Sequence, residues 1–286
     1  MENDNILTRV QEITGVQERA RAQGGVRDLA VVVTGKPTDR TAIDRASLLR
    51  LGREAHVVTA HAVEQTWPDG RRGLALRAAP GERQGEDPGA LRPELAIVPY
   101  GPRDLRTRLF GSAAEGVVRA ADYPVLVTRL PAQMPYERML IATDFSPVAA
   151  EALRFALDIL PPHAADPWVV HAYDTSYALV LRQVNAPAAR ILEYHAKARE
   201  EAEARMEEFL APFRVEGRKL RPICRSGEPV DTLRRCQRAL RAEVLVVGKH
   251  AAAGAGRPML GTVAERSLRA APCDVLVVPG RQPTLH

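Results

Sequence analysis

Short apolar runs recur along the chain, and stretches with helical spacing separate most of them. In the first half we predict strands at residues 29–33, 57–62, 95–98 and 124–128, and helices at 38–53 and 111–121. In the second half we predict strands at 139–143, 168–172, 219–224, 244–247 and 275–278, and helices at 147–160, 188–213, 229–241 and 262–270. This alternation predicts an α/β fold in which each half is a doubly wound, five-stranded parallel-sheet domain. Such sheets bind ligands beyond the carboxyl ends of their strands.

The first half is interrupted by a segment rich in Gly, Pro, Arg and Glu at residues 64–93, which leaves room for one further strand at 73–79. A segment with two prolines separates the halves. Apolar positions Ile6, Val10, Ile13 and Val16 share one face of a short N-terminal helix. The predicted parts are therefore a helical extension at 1–25, a reduced domain at 26–130, a linker at 131–137 and a complete domain at 138–281.

The two halves repeat each other. Gly111-Ser112-Ala113-Ala114-Glu115 matches Gly261-Thr262-Val263-Ala264-Glu265 at an offset of 150 residues, which also sets Val98 against Gly248 and Gly101 against Ala251. The first strands correspond at an offset of 110, which sets Thr34 against Asp144. The first half is therefore shorter by 150 minus 110, or 40 residues, and we predict that it lacks mainly the long second helix.

A phosphate-binding layout follows the fourth strand of the second half. The chain runs through Gly248-Lys249-His250-Ala251, then nine residues, then Gly261-Thr262 at the start of a helix. Glycines allow close backbone approach and positive φ, and free N–H groups at a helix N-terminus favour an anion. Thr262 adds a hydroxyl donor and is expected to cap the helix.

This spacing resembles the universal stress proteins, whose ATP-binding members show Gly, two residues, Gly, nine residues, then Gly with Ser or Thr. The second half departs from that pattern at Ala251 and the first half at Val98. The resemblance implies that Asp144 contacts ribose and adenine, and that adenine also meets Ala172 and the backbone near Thr143. It implies ATP, with or without Mg²⁺, bound by Thr143, Asp144, Ala172, Gly248, His250, Ala251, Gly261, Thr262 and Val263. Because Thr34 replaces the aspartate, the first half is expected to bind nucleotide poorly.

Composition narrows the remaining classes. The net charge of +5 comes from scattered arginines and the aromatic content is only 5%, so we expect no nucleic-acid binding. No apolar run is long enough for a membrane span and no signal peptide is recognised, so we expect a cytoplasmic protein. Cys224, Cys236 and Cys273 lack CxxC spacing and are expected to be reduced, with Cys273 and His171 in the core.

No catalytic motif accompanies the glycine pattern, because GxxxxGK[ST], GxSxG and HExxH are all missing from the sequence. We therefore expect a stress-response sensor or regulator that is not an enzyme, with slow ATP hydrolysis left open. The alternatives are an interaction scaffold with decayed sites, or an ATP-using enzyme. By resemblance, the last strands at 125–128 and 275–278 pair with a counterpart, either within the chain or in a homodimer.

Overall fold

The structure, a computed structural model, describes residues 26–34, 36–49, 51–66, 72–78, 91–100, 113–159, 167–214, 219–249 and 260–280. The predicted N-terminal helix lies outside these ranges. The first half contains strands β1 (Val26–Val32), β2 (Leu51–Thr66), β3 (Arg72–Ala78), β4 (Leu95–Pro99) and β5 (Val125–Thr128), with helices α1 (Asp39–Ala46) and α2 (Ala113–Ala120).

The second half contains strands β6 (Met139–Ala142), β7 (Trp168–Tyr173), β8 (Arg221–Ser226), β9 (Val244–Lys249) and β10 (Asp274–Pro279). Its helices are α3 (Pro147–Ile159), α4 (Tyr177–Gln183), α5 (Ala188–Leu210), α6 (Pro229–Leu240) and α7 (Thr262–Ala270), and a 3₁₀ turn at Ala211–Phe213 extends α5. Helix α4 was not predicted, since seven residues are too few to show a helical period.

All ten strands form one mostly parallel sheet in the order β3-β2-β1-β4-β5-β10-β9-β6-β7-β8. Apolar residues on its two faces form two cores. Helices α1, α3 and α5 cover one face, and α2, α6 and α7 cover the other. The predicted α/β class is confirmed, and each half has its strands in the same spatial order, third, second, first, fourth and fifth. No helix in the described ranges is long and apolar enough to cross a membrane.

Two predictions for the first half need correction. The helix predicted at 38–53 ends at Ala46, because Leu51 already pairs with Val26 as the first residue of β2. Strand β3 runs antiparallel to β2, whereas β8 runs parallel to β7. Only residues 67–71 separate β2 from β3, while a parallel connection needs a dozen or more residues, as residues 174–220 provide between β7 and β8.

The halves are joined through their last strands. Strand β10 pairs with β5 antiparallel, and Leu276 lies opposite Leu126, its own equivalent at the offset of 150. The contact is thus self-complementary, as at a two-fold interface. The predicted pairing of last strands is confirmed within the chain. Because β4 and β9 occupy their other sides, neither β5 nor β10 is a free edge at which a second chain could pair.

Helices α2 and α7 meet beside this junction with reciprocal ion pairs. Arg269 Nε lies 3.4 Å from Glu115 Oε2, and Arg119 Nη2 lies 3.5 Å from Glu265 Oε1. The two arginines are equivalent at the offset of 150, and so are the two glutamates, so each pair is the counterpart of the other. The segments that repeat in the sequence therefore also form the contact surface between the halves.

Each half also supplies a cation to the carboxyl end of a helix in the other. The Lys249 ammonium donates to the carbonyls of Val118, Arg119 and Ala121 at 2.9, 2.9 and 2.6 Å. The Arg129 guanidinium donates to the carbonyls of Leu268 and Ala271 in the other half. Cations are favourable at helix C-termini, where carbonyls lack partners. Residues 118 and 121 are the equivalents of 268 and 271, so both helices are capped at the same two carbonyls.

Candidate functional site

Sheet register brings the predicted residues of three strands to one edge. Ile141 pairs with Val246, and continuing this register by two residues sets Thr143 beside Gly248. Ala142 pairs with Val170, and the same continuation sets Asp144 beside Ala172. The carboxyl ends of β6, β7 and β9 therefore meet where the strand order reverses, which is where doubly wound sheets bind ligands.

A tight turn follows β6 and leads into α3. The Thr143 hydroxyl accepts a hydrogen bond from the Phe145 amide at 2.9 Å, and Asp144 Oδ1 accepts one from the Ser146 amide at 3.0 Å. The Ser146 hydroxyl accepts a hydrogen bond from the Ala149 amide at 3.2 Å and so caps α3. Asp144 is exposed. Its carboxylate thus shapes the turn and also faces solvent at the strand ends.

Phe145 adopts a left-handed backbone conformation with φ of 64°, which is rare for a bulky residue and costs roughly 1–3 kcal/mol. Its ring lies 4.1 Å from the His171 ring, centroid to centroid, and the Arg205 guanidinium lies 4.8 Å from its centroid. These contacts hold the strained turn beside Asp144.

His171 is half-buried at this turn, so its predicted place in the core is wrong, whereas Cys273 is buried as predicted. The His171 ring Nδ1 lies 2.9 Å from the Thr143 carbonyl oxygen. Burial lowers the pKa of His171, although the hydrogen bond to Thr143 opposes this. The neutral imidazole donates from Nδ1 to the carbonyl and keeps the backbone before Asp144 in place.

The first half has the same contact. The sequence could have indicated it, because a histidine recurs at the offset of 110 residues. His61 is the equivalent of His171 at the offset of 110, and its Nδ1 lies 3.1 Å from the carbonyl of Val33, the equivalent of Thr143. The Val33 amide donates to the Ala60 carbonyl at 2.9 Å, as the Thr143 amide does to that of Val170. The repeated histidine indicates a role in shaping the strand end.

The two described glycines of the pattern have different roles. A Cβ built on Gly248 would lie 2.9 Å from Val148 Cγ1 of α3, and Gly248 is not among the residues of the described ranges with positive φ. Gly248 is thus explained by helix packing and not by positive φ. Gly261 does adopt positive φ, at 70°, and a Cβ there would meet no atom within 4 Å. Its glycine is required by conformation.

The start of α7 corrects the role of Thr262. Gly261 is the N-cap residue, Thr262 is the first helical residue, and no side chain caps the helix. Thr262 is exposed, whereas Val263 packs against the core on the α6 and α7 side. Since a crossover helix runs back along its strands, the exposed threonine lies at the carboxyl edge of the sheet. His250 and Ala251, also predicted to bind, lie outside the described residues.

Strand register corrects the alignment of the halves by one residue. Val98 pairs with Val127 of β5, and Val247 pairs with Val277 of β10, so Val98 corresponds to Val247. The residue that takes the place of Gly248 in the first half is therefore Pro99. Proline has no amide hydrogen to offer a phosphate, so this edge departs from the binding pattern further than predicted.

The end of β1 is occupied by an internal carboxylate. Asp39, 2% exposed at the start of α1, accepts hydrogen bonds from the Thr34 amide at 2.8 Å, the Thr34 hydroxyl at 2.7 Å and the Lys36 amide at 3.3 Å. At the position where the second half has the exposed Asp144, the first half has Thr34, which is hydrogen-bonded to the Asp39 carboxylate. This arrangement supports the expectation that the first half is a poor nucleotide site.

A surface pocket of about 560 Å³ lies beside the predicted site, past the carboxyl ends of β7 and β8. Ala172, the predicted adenine contact, lines it together with Gly227 and residues of α4, α5 and α6. The described residues contain no group of three or more His, Cys, Asp or Glu side chains placed to hold a metal ion. All three cysteines are free thiols.

The fold is that of a Rossmann-like α/β protein, and its second half brings Asp144, Ala172 and Gly248 to one edge of the sheet. The model of the universal stress protein family matches residues 135–279, just over half of the chain. The protein therefore belongs to the universal stress protein family. The region that matches is the half that carries Asp144, Gly248 and Gly261.

Known relatives extend the likeness. Universal stress protein MJ0531 of Methanocaldococcus jannaschii is 28% identical over 144 residues, which are 50% of this chain and 82% of that protein. A putative universal stress protein structure from Pseudomonas aeruginosa UCBPP-PA14 matches with a TM-score of 0.53 and 16% identity, over 89% of this chain and 93% of that one. A universal stress protein from Archaeoglobus fulgidus matches with a TM-score of 0.45 and 22% identity, over 66% of this chain and 61% of that one. The Pseudomonas structure thus shares the fold of both halves together.

Proposed function

We propose that this protein binds ATP or a related adenine nucleotide in its second half and acts as a stress-response sensor or regulator. One observation carries the proposal. Asp144, Ala172 and Gly248 meet at the edge where the strand order reverses, and Gly261 at positive φ opens α7 at that same edge.

Each residue suits one part of such a ligand. The exposed Asp144 carboxylate is an acceptor for ribose hydroxyls, and the small Ala172 side chain leaves room for a base. The Thr262 hydroxyl and the free amides of the first turn of α7 are donors for phosphate, which the helix dipole also favours. Mg²⁺, when bound, would neutralise part of the phosphate charge.

The repeat suggests that the chain is a tandem protein in which only the second domain is competent. Pro99 lacks the amide of Gly248, and Asp39 already binds Thr34. The nucleotide would therefore bind at one site per chain. We place the protein in the cytoplasm. We assign it no enzymatic role, because the sequence has no GxxxxGK[ST], GxSxG or HExxH motif.

A second candidate is an interaction scaffold that binds no nucleotide. It is favoured by Gly248, whose lack of a side chain is already explained by the contact with Val148 and needs no phosphate. Ala251 in place of the second glycine of the family pattern points the same way.

Isothermal titration of ATP with Mg²⁺ into the intact protein separates the two candidates, after mass spectrometry confirms that no nucleotide co-purified. We expect Asp144→Asn to weaken binding at least tenfold, because a ribose hydroxyl loses a charged acceptor. Thr34→Val is the matched control at the equivalent position and should leave the affinity unchanged. If nucleotide-free protein does not bind ATP, the scaffold is the correct function.

A further inference from the structure

The pocket beyond β7 and β8 has features that the nucleotide proposal does not use. Ala172 and Gly227 line it from the strand ends, and Ala178, Leu179 and Pro229 add apolar surface from α4 and α6. Its volume of about 560 Å³ lies within the roughly 300–1,000 Å³ typical of small-molecule sites. The space is therefore large enough for a ligand of its own.

The two carboxylates of the pocket already have partners. Asp174 accepts hydrogen bonds from the Ser176 amide at 2.7 Å and the Ser176 hydroxyl at 2.8 Å, and these bonds lower the pKa of Asp174. Glu228 accepts from the Asp231 amide at 2.8 Å, which caps α6, and lies 3.5 Å from the Arg266 guanidinium. Neither carboxylate needs a ligand to complete its contacts.

The two basic side chains of the pocket, unlike the two carboxylates, have no polar partner among the described residues. Arg182 of α4 and His195 of α5 line the pocket, yet neither forms a side-chain hydrogen bond or ion pair with another described residue. The His195 ring lies 5.8 Å from the Tyr194 ring, centroid to centroid. A guanidinium offers five N–H donors in a planar fork that matches a carboxylate, sulfonate or phosphate group. The unused hydrogen-bonding capacity of the pocket is thus that of donors.

Apolar side chains continue from the pocket onto α4 and the start of α5. Leu179, which lines the pocket, is 59% exposed, and its neighbours Tyr177, Val180, Val184 and Leu192 are 46% to 68% exposed. Most of the exposed large apolar residues of the described chain belong to this one helical pair. Such a concentration on a surface marks a binding site for an apolar group.

We propose that this pocket binds an organic anion, in which a carboxylate, sulfonate or phosphate group is attached to an apolar or aromatic body. Arg182 and His195 bind the anionic group, and Leu179 with Ala178 and Pro229 contacts the body. The inference goes beyond the proposed nucleotide function and does not depend on it. The two sites share Ala172, but Asp144, Gly248 and Gly261 do not line the pocket.

The test uses two fluorescent probes with the same ring system. 8-Anilinonaphthalene-1-sulfonate carries an anionic group, and N-phenyl-1-naphthylamine lacks it. We expect the intact protein to bind the sulfonate at one site and more tightly than the neutral probe. Arg182→Gln should weaken the sulfonate about tenfold and change the neutral probe less than twofold, because only the anion loses a charged donor.

Two further variants keep the result interpretable. Arg190→Gln removes an exposed arginine of α5 that does not line the pocket, and it should change neither affinity. Leu179→Ser should weaken both probes, and it remains informative if Arg182→Gln fails to fold. Equal binding of the two probes, no binding of the sulfonate, or an equal loss in Arg182→Gln and Arg190→Gln would overturn the proposal.

Titration with ATP and Mg²⁺ separates this site from the nucleotide site. Arg182→Gln should retain the ATP affinity of the parent protein, and Asp144→Asn should retain the affinity for the sulfonate probe. If the protein binds no ATP but still binds the probe through Arg182, the nucleotide proposal fails and this one stands. Loss of sulfonate binding in Asp144→Asn would show a single shared site and contradict the inference.

Discussion

The two halves of this molecule share a strand order but differ at the carboxyl edge of the sheet, which is where doubly wound sheets bind ligands. After β6 the second half presents an exposed Asp144, and after β1 the first half has Thr34 bound to the buried Asp39. Near the end of β9 the second half has Gly248, whereas Pro99 occupies the equivalent position at the end of β4. Yet His61 and His171 make the same contact to the backbone in both halves.

The comparison separates what the fold requires from what a ligand requires. The histidine contact, the strand register and the pairing of β5 with β10 maintain the sheet, and all are present in both halves or join them. The exposed carboxylate at the end of the first strand and the glycine near the end of the fourth strand are present in only one half. A half that has lost these residues still has a structural task, because it caps α7 through Arg129 and receives Lys249 beneath α2.

The largest expected effect on stability comes from removing the Asp274 carboxylate, which joins the two halves. This buried carboxylate accepts hydrogen bonds from the amides of Arg129 and Leu130 at 2.6 and 2.9 Å and from the Tyr136 hydroxyl at 2.6 Å, with Arg45 Nε at 3.4 Å. Asp274→Ala should lower the free energy of unfolding by about 3–5 kcal/mol, because it leaves Arg45 buried without its charge partner. Urea denaturation measures this loss.

The control for this prediction is Asp231→Ala, which removes an exposed partner of Arg234 and should cost less than about 1 kcal/mol. A similarly small cost for Asp274→Ala would show that the contact between the halves contributes little to stability.

The contact of the buried Lys249 ammonium with the carboxyl end of α2 should make the stability of the protein depend on pH. Burial lowers the pKa of Lys249 to about 8, below its ordinary 10.5, while Asp122 opposes this shift and Arg119 adds to it. Below pH 8 the ammonium is charged in both states and its burial is a cost. Between pH 8 and 10.5 the folded protein holds fewer protons, so its stability relative to Lys249→Met should rise by up to about 1.4 kcal/mol per pH unit.

Urea denaturation of both proteins at a series of pH values tests this slope. Lys197→Met is the control, since Lys197 is exposed on α5 and should give no such difference. A free energy of unfolding of the parent protein that, relative to that of Lys249→Met, stays constant or falls from pH 8 to 10.5 would contradict the assigned shift.

Gly248 and Gly261 should respond differently to alanine. Gly248→Ala should cost about 1–3 kcal/mol through overpacking against Val148, and Val148→Ala should restore part of that loss. Gly261→Ala should cost about 1–2 kcal/mol through its positive φ, and Val148→Ala should not restore it. A double-mutant cycle by chemical denaturation measures both couplings. Equal coupling of the two glycines to Val148 would remove the distinction between them.

The smallest effects belong to the reciprocal ion pairs of α2 and α7. Glu115 is buried and Glu265 is partly exposed, so the pair of Arg269 with Glu115 should couple more strongly than that of Arg119 with Glu265. Both coupling energies should stay below about 1 kcal/mol and should fall with added salt. Double-mutant cycles at low and high salt check the ranking, which is wrong if the exposed pair couples more strongly.

Local pattern was sufficient to predict most of the fold. Apolar runs and helical periods predicted the alternation, and the gap in the repeat indicated a missing helix. The direction of a strand depends on the length of the connection that precedes it. The antiparallel direction of β3 could therefore be predicted only by knowing that residues 67–71 are the whole connection from β2. Helix α4 is too short to show a period.

For the site, the residue types that suit a ligand were visible in the sequence, but their contacts were not. Nothing in the spacing distinguishes Gly248, which a neighbouring helix requires, from Gly261, which its own φ requires. The one-residue shift that sets Pro99 against Gly248 depends on pairing across the sheet, which an ungapped alignment cannot detect. Lys249 lies in the sequence segment that predicts a phosphate-binding loop, but its ammonium is buried against the carbonyls at the end of α2.

The central claim is that two halves of one fold differ in their capacity to bind a nucleotide. Native mass spectrometry of nucleotide-free protein titrated with ATP and Mg²⁺ counts the ligands on each chain directly. We predict one ATP per chain, lost in Asp144→Asn and retained in Thr34→Val. Two ATP per chain, or one that persists in Asp144→Asn and disappears in Thr34→Val, would contradict the assignment of the site to the second half.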